Sequence, residues 1–372
     1  MAALTAAPVP AASRPSLPAS RLARLPALAA RALLAGLAAL MVYGLALSFA
    51  PNAGMVRTSP DPEQTDVKLY TAIAERVAAG EGYYTAALAE QRQRGYPLKP
   101  FVTVRLPTLA LLQARIGIEA AQRVLCGLAA LAALVMAFRL FRDLGPGRAL
   151  AAAIALTVVG LLPFGVPVFG FWHEAWASVL VVLSLACRSR ERWIGSVLIG
   201  FVAVAFRELA LPYLCVMAFV ALVEGNRREA LAWIAAILAF AGLLAAHALT
   251  LSHLVTAADP ASPGWSAAGG WPFVLSMIGA CTLLTLAPFP LVALVAPLCL
   301  LGWAAWPGGL GLRVALLLGG LSLAFMLIGR PDNFYWGMML APLLFTGLAA
   351  LPSGLRDLVH AARGQAQPRI AA

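Results

Sequence analysis

Charge is scarce in this sequence. Of its 372 residues only 12% are charged, whereas 62% are hydrophobic, and the mean hydropathy is +0.85. A water-soluble domain needs more charge than this to cover its surface, so the composition excludes an ordinary soluble protein. Much of the chain must be solvated by a lipid bilayer, and we predict an all-α integral membrane protein.

Cysteine and lysine are also scarce. All five cysteines lie in apolar stretches, so they predict neither a disulfide framework nor a metal site. The only lysines are Lys68 and Lys99, and nearly all other basic residues are arginines in short loops between apolar runs. The formal net charge of +11 therefore indicates membrane orientation, and we expect no nucleic-acid partner. Lysine-poor, Ala- and Arg-rich usage is typical of a high-GC bacterial genome, so we expect a bacterial inner (plasma) membrane.

The apolar runs predict about ten transmembrane helices. We expect a disordered cytoplasmic tail over residues 1–26, a polytopic domain over 27–355 that begins with an uncleaved helix, and a cytoplasmic tail over 356–372. The predicted helices lie near 29–50, 119–138, 149–169, 175–187, 193–206, 210–224, 230–250 and 288–305, and on both sides of Arg330. Residues 272–286 are interpreted as an interfacial segment.

Arginine clusters occupy every second loop, so we expect those loops and both termini to be cytoplasmic. The clusters are Arg14/Arg21/Arg24, Arg139/Arg142/Arg148, Arg188/Arg190/Arg192, Arg227/Arg228, Arg313 and Arg356/Arg363/Arg369. The loops on the other side would hold most of the remaining ionisable residues, namely Asp66, His173, Glu174, Arg207, Glu208, His253, Asp259, Arg330 and Asp332.

Several of the helices are too short to cross a bilayer. The 14 residues between Arg192 and Arg207 reach about 21 Å, and the 13 residues after Glu174 reach about 20 Å, against a hydrocarbon core of about 30 Å. We therefore expect Glu174, Arg207, Glu208 and Arg330 to lie below the outer surface, in a cavity open to the outside. Ionisable groups at such depth usually mark a functional site.

The first outer loop, residues 51–105, carries an amphipathic pattern. From Asp66 onward, apolar residues recur at helical spacing and charged residues take the opposite face, which predicts a helix on the membrane surface. Gly80 and Gly82 should break this helix, and Tyr83 should begin a second one. The sequence from Arg105 to Thr108 predicts a further helix, with proline in its first turn.

These residues resemble the first periplasmic loop of the GT-C fold glycosyltransferases, polytopic enzymes that use polyprenyl-phosphate-linked sugars as donors. The match covers roughly residues 66–108 and consists of Asp66, Tyr70, the Gly80/Gly82 break, Tyr83-Tyr84 and the Arg105-Leu-Pro-Thr motif. The resemblance implies a GT-C-like fold, with a long first periplasmic loop that contains amphipathic juxtamembrane helices. Beyond this loop the likeness is one of topology and of a few charged positions.

The resemblance also implies roles for single residues. Asp66 occupies the position of the family's acidic residue, which is the catalytic base or a metal contact. The Arg207-Glu208 pair is similar to a recurrent pair in bacterial members, and Arg330 to the late arginine that meets the donor phosphate. A paired acidic motif common in the family is replaced here by a lone Asp66, so a divalent cation (Mg²⁺ or Mn²⁺) stays open as a cofactor, with Asp66 as its ligand if one is used.

Glycosyl transfer to a hydroxyl requires a base near the acceptor, and departure of a lipid phosphate requires positioned cations. Asp66 and Glu174 are the catalytic candidates. The candidates for substrate binding are Lys68, Tyr70, Lys99, Arg105, His173, Arg207, Glu208, Arg330 and Asn333. The expected partners are a polyprenyl-phosphate sugar donor, the lipid bilayer, and a glycan or lipid acceptor.

Structural interpretations exist for the same residues. Asp66 and Glu174 could simply begin helices, Arg207 and Glu208 could form an ion pair that holds a hairpin, and Arg330 could pair only with Asp332. Phe334 to Trp336 are interpreted as an interfacial aromatic belt, with a sugar-stacking platform as the alternative. For the whole chain, the alternatives are a lipid or glycan transporter (flippase), a non-catalytic subunit of an envelope assembly complex, and a polymerase of unrelated fold. Transporters usually contain internal repeats, and we find none that is convincing.

Overall fold

The computed structural model describes residues 20–49 and 65–365, and all regular elements in these ranges are helical, as predicted. Short 3-10 turns join many of the α-helices. In chain order the α-helices are α1 (Ala27–Leu47), α2 (Asp66–Ala78), α3 (Tyr83–Gln93), α4 (Thr108–Ile116), α5 (Ile118–Leu144), α6 (Arg148–Leu161), α7 (His173–Cys187), α8 (Ile194–Phe206), α9 (Leu211–Val223), α10 (Arg227–Leu254), α11 (Gly270–Cys281), α12 (Phe289–Ala305), α13 (Gly308–Leu327), α14 (Ala341–Leu344) and α15 (Leu351–Ala362).

Five of the described helices are long and apolar enough to cross a membrane, namely α1, α5, α6 with the turn that follows it, α10 and α13. Shorter apolar helices accompany them: α7, α8, α9 with the turn before it, α11 and α12. Near the C-terminus, the helical segments Pro331–Met339 and Ala341–Ala362 are bent by 50° relative to one another. The chain is therefore a multi-pass helical membrane protein, in which fewer helices reach spanning length than the sequence predicts.

The short helix α7 lies at the centre of the bundle. Every residue from His173 to Ala186 is buried, and the helix packs against α5 and α8. The long helices α1 and α10, in contrast, expose large apolar side chains such as Val42 and Leu238. Because protein surrounds α7 on all sides, this helix can begin with polar residues, and it carries His173 and Glu174 into the interior.

Glycines allow the C-terminal helical segments to approach the bundle closely. A Cβ atom built on Gly302 of α12 would lie 2.0 Å from the carbonyl oxygen of Gly347. A Cβ atom on Gly160 of α6 would lie 2.6 Å from the carbonyl oxygen of Pro342. Small residues at such crossings are typical of membrane helices, because packing replaces the hydrophobic effect there.

The three helices predicted after Asp66 are confirmed as α2, α3 and α4. Gly80 has a φ of +96°, a conformation that favours glycine, and it ends the turn after α2. The apolar face of α2 (Leu69 and Ile73) packs into a small core of its own with Leu88 of α3 and Leu251 of α10. The apolar face of α2 is therefore covered by other parts of the described chain.

Ion pairs fix α2 to α3, and α3 to the loop after α10. Arg76 of α2 pairs with Glu81 at 2.6 Å and with Glu90 of α3 at 2.9 Å. Arg92 donates to both carboxylate oxygens of Asp259, at 2.7 and 2.8 Å. These ion pairs hold α2 and α3 over one end of the bundle, where α4 packs against α2, and we call it the cavity end.

A second charged cluster lies at the opposite end of the bundle. Arg188 pairs with Glu224 and with Glu229, both at 2.7 Å, and Arg313 pairs with Glu224 at 2.7 Å. Glu229 is fully buried. The cluster joins residues at the ends of α7, α9, α10 and α13, and Arg188 and Arg313 come from two of the arginine clusters that the sequence assigns to one side.

Three segments differ from the sequence-based prediction. Residues 272–286, predicted to be interfacial, fall largely in α11, whose side chains are mostly buried inside the bundle. The single helix expected after Arg330 is instead broken, and α15 continues through residues 356–362 of the predicted tail. Hydropathy records that a segment is apolar but not whether lipid or protein covers it, which explains the first difference.

The N-terminal segment 1–26 is only partly described. Its last residues form a 3-10 turn (Arg21–Arg24), and Leu22 is buried in a small cluster with Leu358 of α15. The backbone N–H of Ser20 donates to the Asp357 carboxylate at 2.9 Å. Residues 20–26 are therefore ordered against α15, which differs from the predicted disorder, and residues 1–19, 50–64 and 366–372 lie outside the described part of the chain.

Candidate functional site

A cavity of about 850 Å³ lies where α2, α3 and α4 meet the bundle, and we call it the loop cavity. Its wall also includes the start of α7, the turn between α8 and α9, and parts of the segments 262–266 and 328–336. This volume falls within the range of small-molecule sites, which is about 300–1,000 Å³. Eight of the residues proposed from the sequence line it: Asp66, Tyr70, Arg105, His173, Arg207, Glu208, Arg330 and Asn333.

Asp66 is the first residue of α2. The cap of this helix is Thr65, whose side chain accepts a hydrogen bond from the backbone N–H of Lys68, so capping does not account for Asp66. The hydroxyl of Tyr96 donates to Asp66 Oδ1 at 2.8 Å. Burial raises the pKa of Asp66 above its ordinary value, while the hydrogen bond from Tyr96 and the charge of Arg105 oppose that rise. A carboxylate with a raised pKa is a stronger base than an ordinary aspartate, which suits Asp66 to accept a proton.

Arg105 lies between two tyrosines. Its Nε donates to the hydroxyl of Tyr70 and its Nη2 to the hydroxyl of Tyr335, both at 3.4 Å. Its Nη1 donates to the carbonyl of Val102 at 3.3 Å, and the Glu208 carboxylate is 3.9 Å from the same nitrogen. The guanidinium is thus held mainly by neutral oxygens, at the cavity wall.

Arg207 connects two carboxylates. Its Nε lies 2.5 Å from Glu174 Oε1, and its Nη1 contacts Glu208. The side chains of Arg207 and Glu174 are each 2% exposed, and Glu208 is 26% exposed. Glu174 does not line the cavity, and its carboxylate is paired beneath the wall. This geometry favours the structural interpretation of Glu174 and Arg207, whereas Glu208 faces the cavity.

Arg330 forms a two-point ion pair with Asp332, at 3.1 and 2.7 Å. It also donates to the hydroxyl of Ser262 and to the carbonyl of Gly264. Asn333 Oδ1 accepts a hydrogen bond from the backbone N–H of Arg330 at 3.0 Å and so closes the turn. These contacts favour an anchoring role for Arg330, which is the alternative that the sequence leaves open.

The two lysines do not join the other candidates. Lys68 is exposed on α2 and is not part of the cavity wall. The ammonium group of Lys99 donates to the carbonyls of Thr256 and Ala257, at 3.3 and 2.9 Å. Lys99 therefore ties the first loop to the segment after α10, outside the cavity wall.

Aromatic residues supply much of the cavity wall. Tyr70 is a sequence-based candidate and Phe334 to Trp336 include the alternative stacking platform, whereas Tyr96 and Trp172 were missed. Tyr96 contacts Asp66 directly, while Tyr335 and Trp336 are buried and so do not form an exposed belt. Trp172 packs on Tyr335 with ring centroids 4.7 Å apart. His173 packs edge-on against Tyr70 at 4.9 Å, and its buried Nδ1 has no hydrogen-bond partner in the described part of the chain. In the sequence, only its place in a Pro-rich stretch beside the loop motifs pointed to Tyr96.

Asp66 is the ligand that the resemblance implies if the protein uses a divalent cation. Across residues 20–49 and 65–365, no three His, Cys, Asp or Glu side chains are grouped so that they could hold a metal ion. Asp61 and Glu63, which precede Asp66, lie outside the described ranges. We therefore derive no chemical step through a metal.

The cavity combines a partly desolvated carboxylate, an arginine flanked by hydroxyls, and aromatic surfaces. Such a set can accept a proton from a hydroxyl, stabilise an anionic group and pack against a sugar or an apolar chain. The chain matches no family model, no curated protein and no solved structure. The fold defines a multi-pass helical membrane protein with a cavity of about 850 Å³ at one end of the described bundle, where charged side chains stand in a mainly apolar wall.

Proposed function

We propose that the protein is a membrane glycosyltransferase of GT-C type. It transfers a sugar from a polyprenyl-phosphate-linked donor to an envelope glycan or lipid acceptor. The observation that carries the proposal is the position of Asp66, which lines the loop cavity together with Arg105, Tyr70 and Tyr335. The resemblance of the first loop to GT-C enzymes involves Asp66, Tyr70 and Arg105 and supports the same assignment.

In this proposal Asp66 is the general base. The acceptor hydroxyl donates its proton to the Asp66 carboxylate as its oxygen attacks the anomeric carbon, and the bond from that carbon to the lipid phosphate breaks. The phosphate leaves with the bonding electron pair, so negative charge grows on its oxygens. Arginine and hydroxyl donors in the cavity stabilise this charge. A raised pKa suits Asp66 to the task, because a carboxylate with the ordinary value is a weak base.

The proposed topology has about ten membrane crossings, with both termini on the cytoplasmic side of a bacterial plasma membrane. Five described helices are long and apolar enough to cross, and the shorter apolar helices and the bent C-terminal pair are the candidates for the remaining crossings. The loop cavity then opens on the outer face, where a lipid-linked donor and an envelope acceptor can meet. The arginines at the opposite end of the bundle, including Arg188 and Arg313, fit a cytoplasmic position.

A transporter would need a path from the loop cavity to the opposite end. The buried cluster of Arg188, Glu224, Glu229 and Arg313 joins the helix ends there, which disfavours such a path. A non-catalytic subunit would have no need for a desolvated carboxylate in a cavity of this size. Both observations support the choice of a transferase as our proposal.

The experiment that tests the proposal is reconstitution. Proteoliposomes that contain the protein are incubated with the total lipid and glycolipid extract of the source membrane, and polyprenyl-phosphate sugars are followed by mass spectrometry. We expect one polyprenyl-phosphate sugar to decrease as polyprenyl phosphate appears, and Asp66→Asn to slow this conversion by at least about 100-fold, the size of a typical general-base contribution. An extract that is unchanged by wild-type protein would refute the proposal.

A further inference from the structure

The four arginines of the loop cavity differ in their pairing. Arg94 lies 3.3 Å from the Glu90 carboxylate, and Arg207 and Arg330 each have a carboxylate within 2.7 Å. The nearest carboxylate to Arg105, that of Glu208, is 3.9 Å away, and its direct hydrogen bonds go to neutral oxygens. Glu208 is itself in contact with Arg207. The charge of Arg105 is therefore the least neutralised of the four.

The two tyrosines beside Arg105 have unused donors. The hydroxyl oxygen of Tyr70 accepts from Arg105, and that of Tyr335 accepts from both Arg105 and Asn333. Among the described residues, neither hydroxyl donates to a protein oxygen. Each O–H proton is therefore available for a ligand in the cavity that both side chains line.

A third group beside Arg105 also has an unmet hydrogen bond. His173 is 4% exposed, lines the same cavity and packs against the Tyr70 ring at 4.9 Å. Its Nδ1 has no partner among residues 20–49 and 65–365. Buried polar atoms are almost always paired in folded proteins, so the protein alone leaves a hydrogen bond beside Arg105 for water or a ligand to complete.

We propose that Arg105 and the hydroxyls of Tyr70 and Tyr335 form a binding site for a phosphate-type oxyanion. The guanidinium supplies charge and a planar pair of N–H donors, and the two hydroxyls add donors from other directions. A tetrahedral anion accepts several such bonds at once, and charge-assisted bonds are the strong ones. Arg330, which the family resemblance assigns to the phosphate, already donates four hydrogen bonds, to Asp332, Ser262 and Gly264.

This assignment adds a phosphate site to the proposed function. The identification of the anion as a lipid-linked phosphate rests on that proposed function. A phosphate bound to Arg105 and Tyr70 occupies the same cavity as Asp66, which stands on α2 with Tyr70. The remaining cavity, lined by Trp172 and Trp265, is left for the sugar and the acceptor. An inorganic phosphate would satisfy the same donors, so the two sources of phosphate must be separated by experiment.

The test measures binding without transfer. Purified protein in detergent micelles is titrated with geranylgeranyl phosphate, with geranylgeraniol as the matched alcohol, and with inorganic phosphate. Binding is followed by tryptophan fluorescence, since Trp172 packs on Tyr335. The variants are Arg105→Gln, the double variant Tyr70→Phe/Tyr335→Phe, Arg330→Gln as the rival assignment, and Arg94→Gln as a control arginine in the same cavity.

We expect geranylgeranyl phosphate to bind and the alcohol to bind much more weakly. Arg105→Gln should weaken binding by roughly tenfold or more, and the double tyrosine variant by about fivefold, because charge-assisted bonds are stronger than neutral ones. Arg330→Gln and Arg94→Gln should change it by less than about twofold. If inorganic phosphate competes with geranylgeranyl phosphate, and this competition also depends on Arg105, the site is supported and its specificity is assigned to the phosphate group alone.

Two results would overturn the site. One is equal binding of the phosphate and the alcohol. The other is binding that depends on Arg330 but not on Arg105 or the two tyrosines. If Arg105→Gln does not fold, the double tyrosine variant, which removes only two oxygens, decides the question. No sugar is transferred in this assay, so a negative binding result does not refute the transferase proposal. Normal binding together with no transfer in the proteoliposome assay would refute the transferase proposal but not the phosphate site.

Discussion

The buried ion pair between Arg207 and Glu174 yields a prediction that is independent of the reaction. The two side chains are each 2% exposed, with Arg207 Nε 2.5 Å from Glu174 Oε1. Arg207→Met keeps an unbranched apolar side chain of similar volume but removes the cation. The Glu174 carboxylate is then buried without a counter-charge, which costs about 3–5 kcal/mol. This loss is a large share of the stability of a typical domain, about 5–15 kcal/mol.

The double variant Arg207→Met/Glu174→Gln distinguishes the loss of the ion pair from the cost of leaving a buried charge unpaired. Without Arg207, the Glu208 carboxylate still has solvent contact and lies 3.9 Å from Arg105, so most of the cost falls on Glu174. Replacing that carboxylate by an amide removes the buried charge. We therefore expect the double variant to recover more than half of the stability that Arg207→Met loses, since buried pairs can often be replaced at little net cost.

Thermal unfolding in detergent micelles measures these differences. Cys281 and Cys299 are buried and reduced, so a thiol-reactive fluorescent dye reports their exposure on unfolding. Arg115→Met, at an exposed position of α4, is the matched control and should melt like wild type. A single variant Arg207→Met as stable as wild type, or a double variant less stable than the single one, would refute the reasoning.

Two further predictions concern the cavity and the packing of the bundle. Tyr96→Phe removes the hydrogen bond that opposes the raised pKa of Asp66, so the protonated carboxyl band of Asp66, assigned by infrared spectroscopy with Asp66→Asn, should persist to higher pH. An unchanged titration would contradict this. Gly302→Ala should destabilise the protein by about 1–3 kcal/mol, since its Cβ would meet the Gly347 carbonyl at 2.0 Å. Gly319→Ala, where nothing lies within 4 Å, should melt no lower than wild type, and equal melting of the two variants would exclude the close contact.

Much of the helical order could be predicted from the sequence. The charge scarcity and the apolar runs specify a helical membrane protein, because only helices satisfy every backbone group within a single segment of chain. The period of α2, the glycine break after it and the proline before α4 are local signals, and the structure confirms all three. Eight of the candidate residues line one cavity because they were chosen from the same side of the predicted topology.

Other features depend on partners far away in the chain. The pairing of Arg92 with Asp259 joins residues 167 positions apart, and that of Arg207 with Glu174 joins residues 33 apart. No local pattern encodes such contacts. The burial of Tyr335 and the breaks after Arg330 likewise follow from packing against α7 and α11, which hydropathy cannot distinguish from contact with lipid. The role of a single charged residue, such as Glu174 or Arg330, therefore depends on partners that the sequence does not reveal.

The most direct test of the central claim compares the envelope glycans and glycolipids of the source strain by mass spectrometry. The strains are a deletion strain, a wild-type complement and an Asp66→Asn complement expressed at the same level. The transferase proposal predicts that one defined sugar is lost on deletion, returns with the wild-type gene and does not return with Asp66→Asn. Full restoration by Asp66→Asn would contradict the role of Asp66 as the base and would favour a transporter or a non-catalytic subunit.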